Sequence, residues 1–328
     1  MKVLVVTNLY PTPERPSICQ FVKEQVDCMR EMYPDLTVDV RVVKGARPRM
    51  RYLLELVSLP RVVRRGGYDL VHAHFGLTLV STLLVRVPVV VTFHGSDLLV
   101  NPTKHISRLL APTAAKVIVV SERLRHVLGY GEVIPCGIPV KNFVLPAVRG
   151  SRSCSRAPST LRLLFPSDPA RKIKDYGLFR AVVGELRKRG IKVEEIHLVD
   201  IERRNVPRVY WESDVLVLTS RSEASPTVIK EAIAAKLPFV SVDVGDVEKW
   251  AGLVDFGIVV SDRDPRTMAD AIVRLLAKVG DRSMLDNKRC LDALDVSAAA
   301  RRVRAVYDEV LSGQVSETRE VGRTRNLC

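Results

Sequence analysis

The sequence has few aromatic residues, no regular cysteine spacing and no long apolar run. Aromatic residues make up only 5% of the 328 positions, so alanine, valine and leucine have to fill most of the core. The six cysteines form no CxxC pair, which indicates neither a disulfide framework nor a zinc site and fits a reducing cytoplasm. The longest apolar stretch, residues 75–93, is broken by Arg86 and Pro88. A membrane span needs roughly 18 uninterrupted apolar residues, so none is expected.

The start of the chain and its net charge limit the location and the partners that are expected for the protein. The apolar segment at residues 3–6 is too short for the core of a secretion signal, so a soluble cytoplasmic protein is expected. The formal charge of +14 would suit nucleic acid, an anionic membrane surface or a phosphate-bearing substrate. The sequence contains no RNP-like aromatic string and no helix-turn-helix or zinc-finger spacing, so nucleic acid is not an expected partner.

Short apolar runs alternate with helical patterns in both halves of the chain. This alternation predicts an α/β protein with two doubly wound, Rossmann-like domains built on parallel sheets. The predicted boundaries are a first domain at 1–150, a second at 158–296, a C-terminal helix at 297–312 that returns to the first domain, and a disordered tail at 313–328. Residues 145–160 are rich in serine, arginine and proline and are predicted to be the linker.

One stretch of the second half combines a strand, a polar loop and a helix start. The apolar residues 215–218 predict a buried strand, and Ser225 followed by Pro226 predicts an N-cap and a first helical residue. A helix N-terminus presents unpaired N–H groups and partial positive charge to whatever lies in front of it. Glu223 and Glu231 lie on either side of this helix start. Their spacing alone is also explained by two solvated acids.

A basic and apolar stretch covers residues 44–65. It mixes arginines with leucines, a composition that fits a surface helix with one core face. It equally fits a helix that rests on a membrane, because apolar residues beside clustered cations hold anionic lipid.

The residues around the two glutamates read E-A-S-P-T-V-I-K-E-A and are followed by L-P-F-V-S-V-D-V-G-D. This string resembles the E-x7-E signature of retaining glycosyltransferases of family 4, which have the GT-B fold. The resemblance implies two domains that face each other across a cleft, with a nucleotide-sugar held by the second. It implies that Glu223 contacts the donor sugar and that Glu231 binds the ribose hydroxyls. The helix N-terminus, at Ser225, Pro226 and Thr227, would face the diphosphate.

Two motifs of the first half extend the resemblance. The opening loop matches the family's T-N-x-Y-P at Asn8 and Tyr10, but Cys19 stands where the family has a glycine. The H-G-S-D string after an apolar strand matches the family's T-x-H-G-x-D, which makes His94 the expected active-site histidine. The resemblance places five residues on the acceptor side: Asn8, Tyr10, Cys19, Gly95 and Asp97. His72 and His74, of the preceding H-A-H, are expected to support or pack rather than bind metal.

A basic loop at residues 166–175 follows the first predicted strand of the second domain. The family has an arginine and a lysine at this turn, and Lys174 fits the lysine. The arginine position falls within Ser167-Asp168, so either Arg171 substitutes or the contact is missing. Asp262 and Asp264 form a D-x-D string, but their place between a strand and a helix predicts a turn with capping carboxylates rather than a metal site.

The resulting hypothesis is a retaining, metal-independent glycosyltransferase without a cofactor. It would move a sugar from a UDP- or GDP-linked donor to an acceptor hydroxyl of a glycan or lipid-linked acceptor. A position on the cytoplasmic face of an anionic membrane is the extension that residues 44–65 suggest. Two alternatives stay open at this point: another GT-B enzyme such as a sugar-nucleotide epimerase, and a non-catalytic binding protein of the same fold.

Overall fold

The computed structural model describes most of the chain. The described residues are 1–13, 15–16, 18–43, 48–100, 103–144 and 160–313. The predicted linker and the predicted tail, apart from residues 160 and 313, lie outside the described residues. So do residues 44–47 of the basic stretch.

The described residues form two parallel sheets. In chain order the strands are β1 (Lys2–Thr7), β2 (Thr37–Val42), β3 (Leu70–His74), β4 (Val89–Phe93), β5 (Lys116–Val119), β6 (Glu132–Val133), β7 (Leu161–Phe165), β8 (Val193–His197), β9 (Val215–Leu218), β10 (Phe239–Val242) and β11 (Gly257–Val260). The first sheet has the order β2-β1-β3-β4-β5-β6 and the second the order β11-β10-β9-β7-β8. The predicted doubly wound α/β architecture is therefore confirmed.

Helices occupy most of the connections between these strands. In chain order they are α1 (Gln20–Met32), α2 (Pro48–Gly66), α3 (Leu79–Thr82), α4 (Ser96–Leu99), α5 (Thr103–Leu110), α6 (Glu122–Leu128), α7 (Val140–Phe143), α8 (Tyr176–Lys188), α9 (Val206–Glu212), α10 (Thr227–Ala234), α11 (Val247–Ala251), α12 (Pro265–Lys278), α13 (Lys288–Leu294) and α14 (Val296–Leu311). None of the helices in the described ranges is long and apolar enough to cross a membrane.

The chain divides into two compact units. The first comprises Met1–Tyr10, Gln25–Pro135 and the chain from Ala299 onwards, and the second comprises Pro11–Glu24 and Cys136–Ala298. These units differ from the boundaries drawn on the sequence, which give residues 11–24 and 136–150 to the first domain.

Two part-buried contacts tie these segments to the second unit. The Arg203 guanidinium donates to Glu24 at 2.6 Å, and the Lys230 ammonium donates to the Cys136 carbonyl at 2.6 Å. Both cations come from the body of the second unit. Hydrophobic periodicity does not predict such long-range pairs, so the boundaries drawn on the sequence could not include them.

In the first unit, the central strands are apolar on both faces. Every residue of β3 and β4 is buried, as expected for parallel strands covered by helices on each side. Helix α14 adds to this unit through two polar contacts. The Tyr307 hydroxyl lies 2.6 Å from His72 Nδ1, and Glu309 accepts from the Lys116 ammonium at 2.7 Å.

Each sheet has one point where the strand order reverses direction. In the first unit this point lies between β1 and β3, and in the second it lies between β7 and β9. Loops that leave the carboxyl ends of such strands diverge, so doubly wound sheets bind their ligands there. Asn8, Lys174 and Glu223 lie in loops that follow strands at these two places, whereas His94, Gly95 and Asp97 follow β4.

Candidate active site

In the second unit, a lysine and a glutamate meet at the switch point. Lys174 ends a short 3₁₀ turn, Lys172–Lys174, that follows β7, and Glu223 lies in the loop after β9. The Lys174 ammonium donates to Glu223 Oε1 at 2.5 Å, with 13% and 15% of the two side chains exposed. The structure therefore brings together the residues expected to neutralise the diphosphate and to hold the donor sugar.

An arginine that the sequence did not single out fixes these two loops. The Arg263 guanidinium donates to the Thr219 carbonyl at 2.6 Å, to the Ser220 carbonyl at 3.0 Å and to Asp175 Oδ2 at 2.8 Å. Thr219 in turn donates its hydroxyl to the Lys174 carbonyl at 2.9 Å. Arg263 thus joins the loop after β9 to the start of α8. The only signal in the sequence was its place between two aspartates.

Those aspartates form the predicted turn. Asp264 is the N-cap of α12 and accepts from the Arg266 N–H at 3.0 Å. Asp262 accepts from the Asp264 N–H at 3.2 Å and from the Thr267 hydroxyl at 3.1 Å. The described residues contain no group of three or more His, Cys, Asp or Glu side chains that could hold a metal ion.

The start of α10 differs from the prediction. Pro226 occupies the N-cap position with an extended backbone, and the helix begins at Thr227. Ser225 does not cap it, because its hydroxyl donates to Asp246 Oδ2 at 2.8 Å and accepts from the Lys230 ammonium at 2.7 Å. The prediction of Ser225 as N-cap was wrong, and the reason is competition from two stronger, charged partners.

Lys230 is a fully buried lysine that the sequence analysis missed. Its ammonium lies over the Trp250 ring at 5.3 Å from the centroid and bonds the Cys136 carbonyl as well as Ser225. Burial lowers its pKa, and nearby Asp246 opposes this effect. Helix α10 is buried on almost every side, so any charged residue within it had to find internal partners.

Glu231 is the second glutamate of the signature and is almost fully buried. Its side chain is 5% exposed, and both of its oxygens have partners. Oε1 lies 2.7 Å from the Arg203 guanidinium, and Oε2 accepts from the Tyr210 hydroxyl at 2.6 Å. Burial, reinforced by Glu231, raises the pKa of Tyr210 well above its usual value, so Tyr210 keeps the proton that it donates.

Arg203 therefore bridges two carboxylates. It bonds Glu24 as well as Glu231, and its guanidinium lies over the Phe143 ring at 5.0 Å from the centroid. Burial lowers the pKa of Arg203, but the negative charges of Glu231 and Glu24 outweigh this effect, so the pKa of Arg203 is raised overall. Burial raises the pKa of Glu24, although Arg203 opposes that shift. Arg203 begins a 3₁₀ turn, Arg203–Asn205, that directly precedes α9.

Arg171 and Cys19 are two further site residues that were predicted from the sequence. Arg171 is exposed and makes no ion pair with the described residues. Cys19 adopts a φ of 48° in the left-handed region, which explains the family's glycine at this place. It belongs to the second unit, whereas the other predicted acceptor-side residues belong to the first. Burial and the Cys136 thiol raise the pKa of Cys19 to about 12, with Arg171 opposing.

In the first unit, the loop after β1 is held by a tyrosine of α2. The Asn8 amide donates to the Tyr52 hydroxyl at 3.0 Å, while Asn8 Oδ1 is buried with no partner among the described residues. Tyr10 is half-buried two residues further on. These residues follow β1 at the β1/β3 switch point.

The H-G-S-D loop is organised around Asp97. Its buried carboxylate accepts backbone N–H groups from His94 at 3.1 Å, Gly95 at 2.8 Å and Gly76 at 3.2 Å. Burial raises the pKa of Asp97 to about 6, and these hydrogen bonds limit the rise. Gly95 has a φ of 117°, which other residues rarely adopt. Asp97 therefore positions the backbone of His94, and His74 contacts the His94 ring from β3.

Comparisons with known proteins find glycosyltransferase models in both halves of the chain. Residues 2–142 match the model of the family described as Glycosyltransferase Family 4, and residues 176–278 match the model described as Glycosyl transferases group 1. The chain therefore carries two glycosyltransferase-like domains. In sequence it is similar to TuaC of Bacillus subtilis strain 168, named as a teichuronic acid biosynthesis glycosyltransferase. The two are 25% identical over 355 residues, which cover 84% of this chain and 89% of TuaC.

Solved structures with the same fold define it as GT-B. The sucrose-phosphate synthase of Thermosynechococcus elongatus superimposes with a TM-score of 0.71 at 16% identity, covering 95% of this chain and all of that one. HepE of Anabaena in complex with UDP gives a TM-score of 0.69 at 13% identity, covering 94% and 100%. A UDP-GlcNAc 2-epimerase from Methanocaldococcus jannaschii gives 0.59 at 9% identity, covering 94% and 99%. The fold alone thus does not separate a transferase from an epimerase.

Proposed function

We propose that the protein transfers a sugar from a nucleotide diphosphate donor to an acceptor hydroxyl, with retention at the anomeric carbon. The observation that carries this proposal is the Lys174–Glu223 pair at the β7/β9 switch point. A cation and an anion at this place suit the two ends of a nucleotide-sugar, which are a charged diphosphate and a ring of hydroxyls. The sequence similarity to TuaC supports a transferase rather than another enzyme of this fold.

The reaction needs negative charge to be stabilised on the departing diphosphate. Lys174 supplies a positive charge, and the first turn of α10, from Thr227, supplies backbone N–H groups. Glu223 accepts hydrogen bonds from hydroxyls of the donor sugar, and His94 is the active-site histidine of the first unit. Retention follows if the acceptor attacks from the face that the diphosphate leaves, with the leaving phosphate taking the acceptor proton. No enzymic nucleophile is required.

A two-stage assay on the full chain tests this proposal. Thermal shifts with UDP- and GDP-sugars identify the donor, because a ligand that binds only the native state raises the melting temperature. The chosen donor is then incubated with and without glycan acceptors, and its products are analysed. We expect nucleoside diphosphate release that depends on acceptor, with an unchanged anomeric configuration. An altered sugar-nucleotide without acceptor would indicate an epimerase, and donor binding without turnover would indicate a binding protein.

The proposal includes metal independence, which is tested by chelation. We expect the transfer rate to stay within about twofold of its value when EDTA is in excess, because Lys174 and the α10 N-terminus supply the positive charge that a metal ion supplies elsewhere. The measurement is initial rate against EDTA concentration, followed by addition of manganese or magnesium. Loss of turnover that either metal restores would contradict the prediction.

The acceptor is proposed to be lipid-linked or close to a membrane, on the basis of α2. Leu53, Leu54 and Val57 are 52%, 66% and 55% exposed. Arg61 and Arg65 are exposed and follow Leu54 at seven and eleven residues, so they share its helix face. Exposed leucines in line with cations suit the interface of an anionic bilayer. Each cation near such a surface contributes up to about 1 kcal/mol of attraction.

Not all of the basic stretch contributes to this surface. The side chains of Arg47 and Arg49 lie outside the described residues. Arg51 donates to the Tyr52 hydroxyl at 3.3 Å and is half-buried, so its role is internal. The exposed arginines at the C-terminal end of α2 are therefore the ones to change.

Vesicle co-sedimentation tests membrane binding. We expect the chain to bind anionic but not neutral vesicles, and the bound fraction to fall as salt is raised, because salt shortens the reach of the charges. Replacing Arg61 and Arg65 by Glu should reduce binding at least several-fold. The matched control replaces Lys288 and Arg289, exposed cations of α13 in the second unit, by Glu. Equal loss in both double variants would mean that net charge, not α2, governs binding. Equal binding to neutral vesicles would contradict the anionic surface.

A further inference from the structure

Two histidines from neighbouring strands are hydrogen-bonded to each other beside the H-G-S-D loop. His74 ends β3 and His94 follows β4, and these strands are paired in parallel. His74 Nδ1 lies 2.9 Å from His94 Nε2, and the two rings stack with centroids 5.2 Å apart and planes 12° apart. His74 is 1% exposed, so this contact is internal to the first unit.

The ring of His74 is held in place from its other side. His72 lies two residues earlier on the same strand, with its ring centroid 4.3 Å from that of His74. Its own nitrogens are anchored, Nδ1 at 2.6 Å from the Tyr307 hydroxyl and Nε2 at 2.8 Å from the Thr92 hydroxyl. His72 therefore limits the rotation of His74, and His74 in turn limits the rotation of His94.

The contact between the two histidines also couples their tautomers. Burial lowers the pKa of His74 to about 3, and burial together with His74 lowers the pKa of His94 well below its usual value. Both rings are thus neutral at pH 7, and each carries one N–H. One proton lies between His74 Nδ1 and His94 Nε2. The ring that donates this proton leaves the other ring as the acceptor. The accepting ring must then carry its own proton on the nitrogen that lies away from the contact.

The surroundings of His74 favour one arrangement. Its Nε2 is buried with no hydrogen-bond partner among the described residues. If Nε2 carried the proton, a buried N–H would lack an acceptor, which proteins tolerate less readily than an acceptor that lacks a donor. His74 therefore carries its proton on Nδ1 and donates it to His94 Nε2. This leaves the proton of His94 on Nδ1.

We propose that His74 is a positioning residue that holds the His94 ring in one orientation and in the Nδ1–H tautomer. The orientation and tautomer of the His94 ring are then fixed before substrate binds. The consequence for turnover rests on the proposed transferase function, whereas the tautomer of His94 does not. A histidine tautomer is commonly set by the partner of its other nitrogen, and loss of such a partner costs roughly 10- to 100-fold in activity at metal sites.

Three variants of the full chain separate positioning from packing. His74→Leu fills the space without a polar atom, and His74→Asn keeps an amide near the place of Nδ1. Tyr68→Phe is the matched control, because it removes a side-chain hydrogen bond of the same unit, from the Tyr68 hydroxyl to Asp39 at 2.8 Å, outside the chain of contacts that reaches His94. We expect kcat to fall about 10- to 100-fold in His74→Leu with the donor KM within about threefold, and to recover to within about fivefold in His74→Asn. Tyr68→Phe should keep kcat even if it melts earlier. Equal losses in His74→Leu and His74→Asn, or none in either, would overturn positioning.

A second readout does not depend on activity. ¹⁵N NMR of histidine ring nitrogens distinguishes the Nδ1–H from the Nε2–H tautomer, and the chain has six histidines to assign. The His94 signals, assigned by their loss in His94→Gln, should show Nδ1–H in the unmodified chain and a mixture in His74→Leu. An Nε2–H tautomer in the unmodified chain, or unchanged His94 signals in His74→Leu, would overturn the proposal. Absent turnover with the expected spectra would instead count against the transferase function alone.

Discussion

Replacing Glu223 by Gln is expected to lower kcat for sugar transfer about 10²- to 10³-fold while the protein stays folded. Glu223 has two roles in the proposed site, since its carboxylate accepts hydrogen bonds from hydroxyls of the donor sugar and holds the Lys174 ammonium at 2.5 Å. Loss of one preorganised electrostatic contact at a reacting centre typically costs about that factor. The amide of Gln has nearly the same shape, so the loop should keep its path.

The control for this variant is a second paired glutamate of the same unit. Glu195 is 11% exposed in its side chain and pairs with Arg187 at 3.1 Å, which resembles the exposure and pairing of Glu223. Glu195→Gln should leave kcat within about threefold. The melting temperature of each variant is measured alongside, so that turnover is compared only between folded proteins. Near-normal turnover in Glu223→Gln would remove Glu223 from the reaction.

The fold was predictable because it rests on patterns that are local in sequence. Each buried strand is a short apolar run, and turn residues separate it from the next helix, so period and composition were enough. The H-G-S-D loop was also readable. Its aspartate lies three residues after the histidine whose backbone it holds. Contacts between residues so close in sequence can be recognised as a motif.

The partners of the site residues were not predictable because they come from distant positions. Ser225 fits the rules for an N-cap, yet Lys230 and the more distant Asp246 take its hydroxyl. Glu231 was expected to be available to a ligand, yet Arg203 and Tyr210 bind both of its oxygens. N-cap propensity describes the hydrogen bond that a side chain makes when no other partner is within reach. Buried charges need hydrogen-bond partners and therefore take such side chains from the helix end.

The occupancy of Glu231 changes what its substitution should do. On the sequence alone, Glu231→Gln is expected mainly to weaken donor binding, through the ribose hydroxyls. In the structure the same change also takes the charge from a side chain that is only 5% exposed and pairs with Arg203. Removing one partner of a buried ion pair typically costs about 3–5 kcal/mol. Arg203 keeps Glu24, so the lower end of that range is expected.

We therefore expect Glu231→Gln to lower the melting temperature by about 6–12 °C, since 1 kcal/mol shifts a domain of 150–250 residues by about 2–4 °C. Scanning calorimetry without donor measures this loss. Donor titration of the same variant then measures any weakening of binding at a temperature where the protein is folded. Glu212→Gln is the control, because Glu212 pairs with Arg208 at 2.6 Å on the exposed surface of α9.

A double-mutant cycle with Arg203→Gln decides between the two roles of Glu231. Groups in direct contact show coupling energies of about 0.5–3 kcal/mol, whereas independent sites add. If the Arg203–Glu231 pair governs stability, the double variant should be clearly more stable than the sum of the two single losses, because neither charge is then left unpaired. Additive losses, or an unchanged melting temperature in Glu231→Gln together with a higher donor KM, would mean that Glu231 is held for the ribose and not by Arg203.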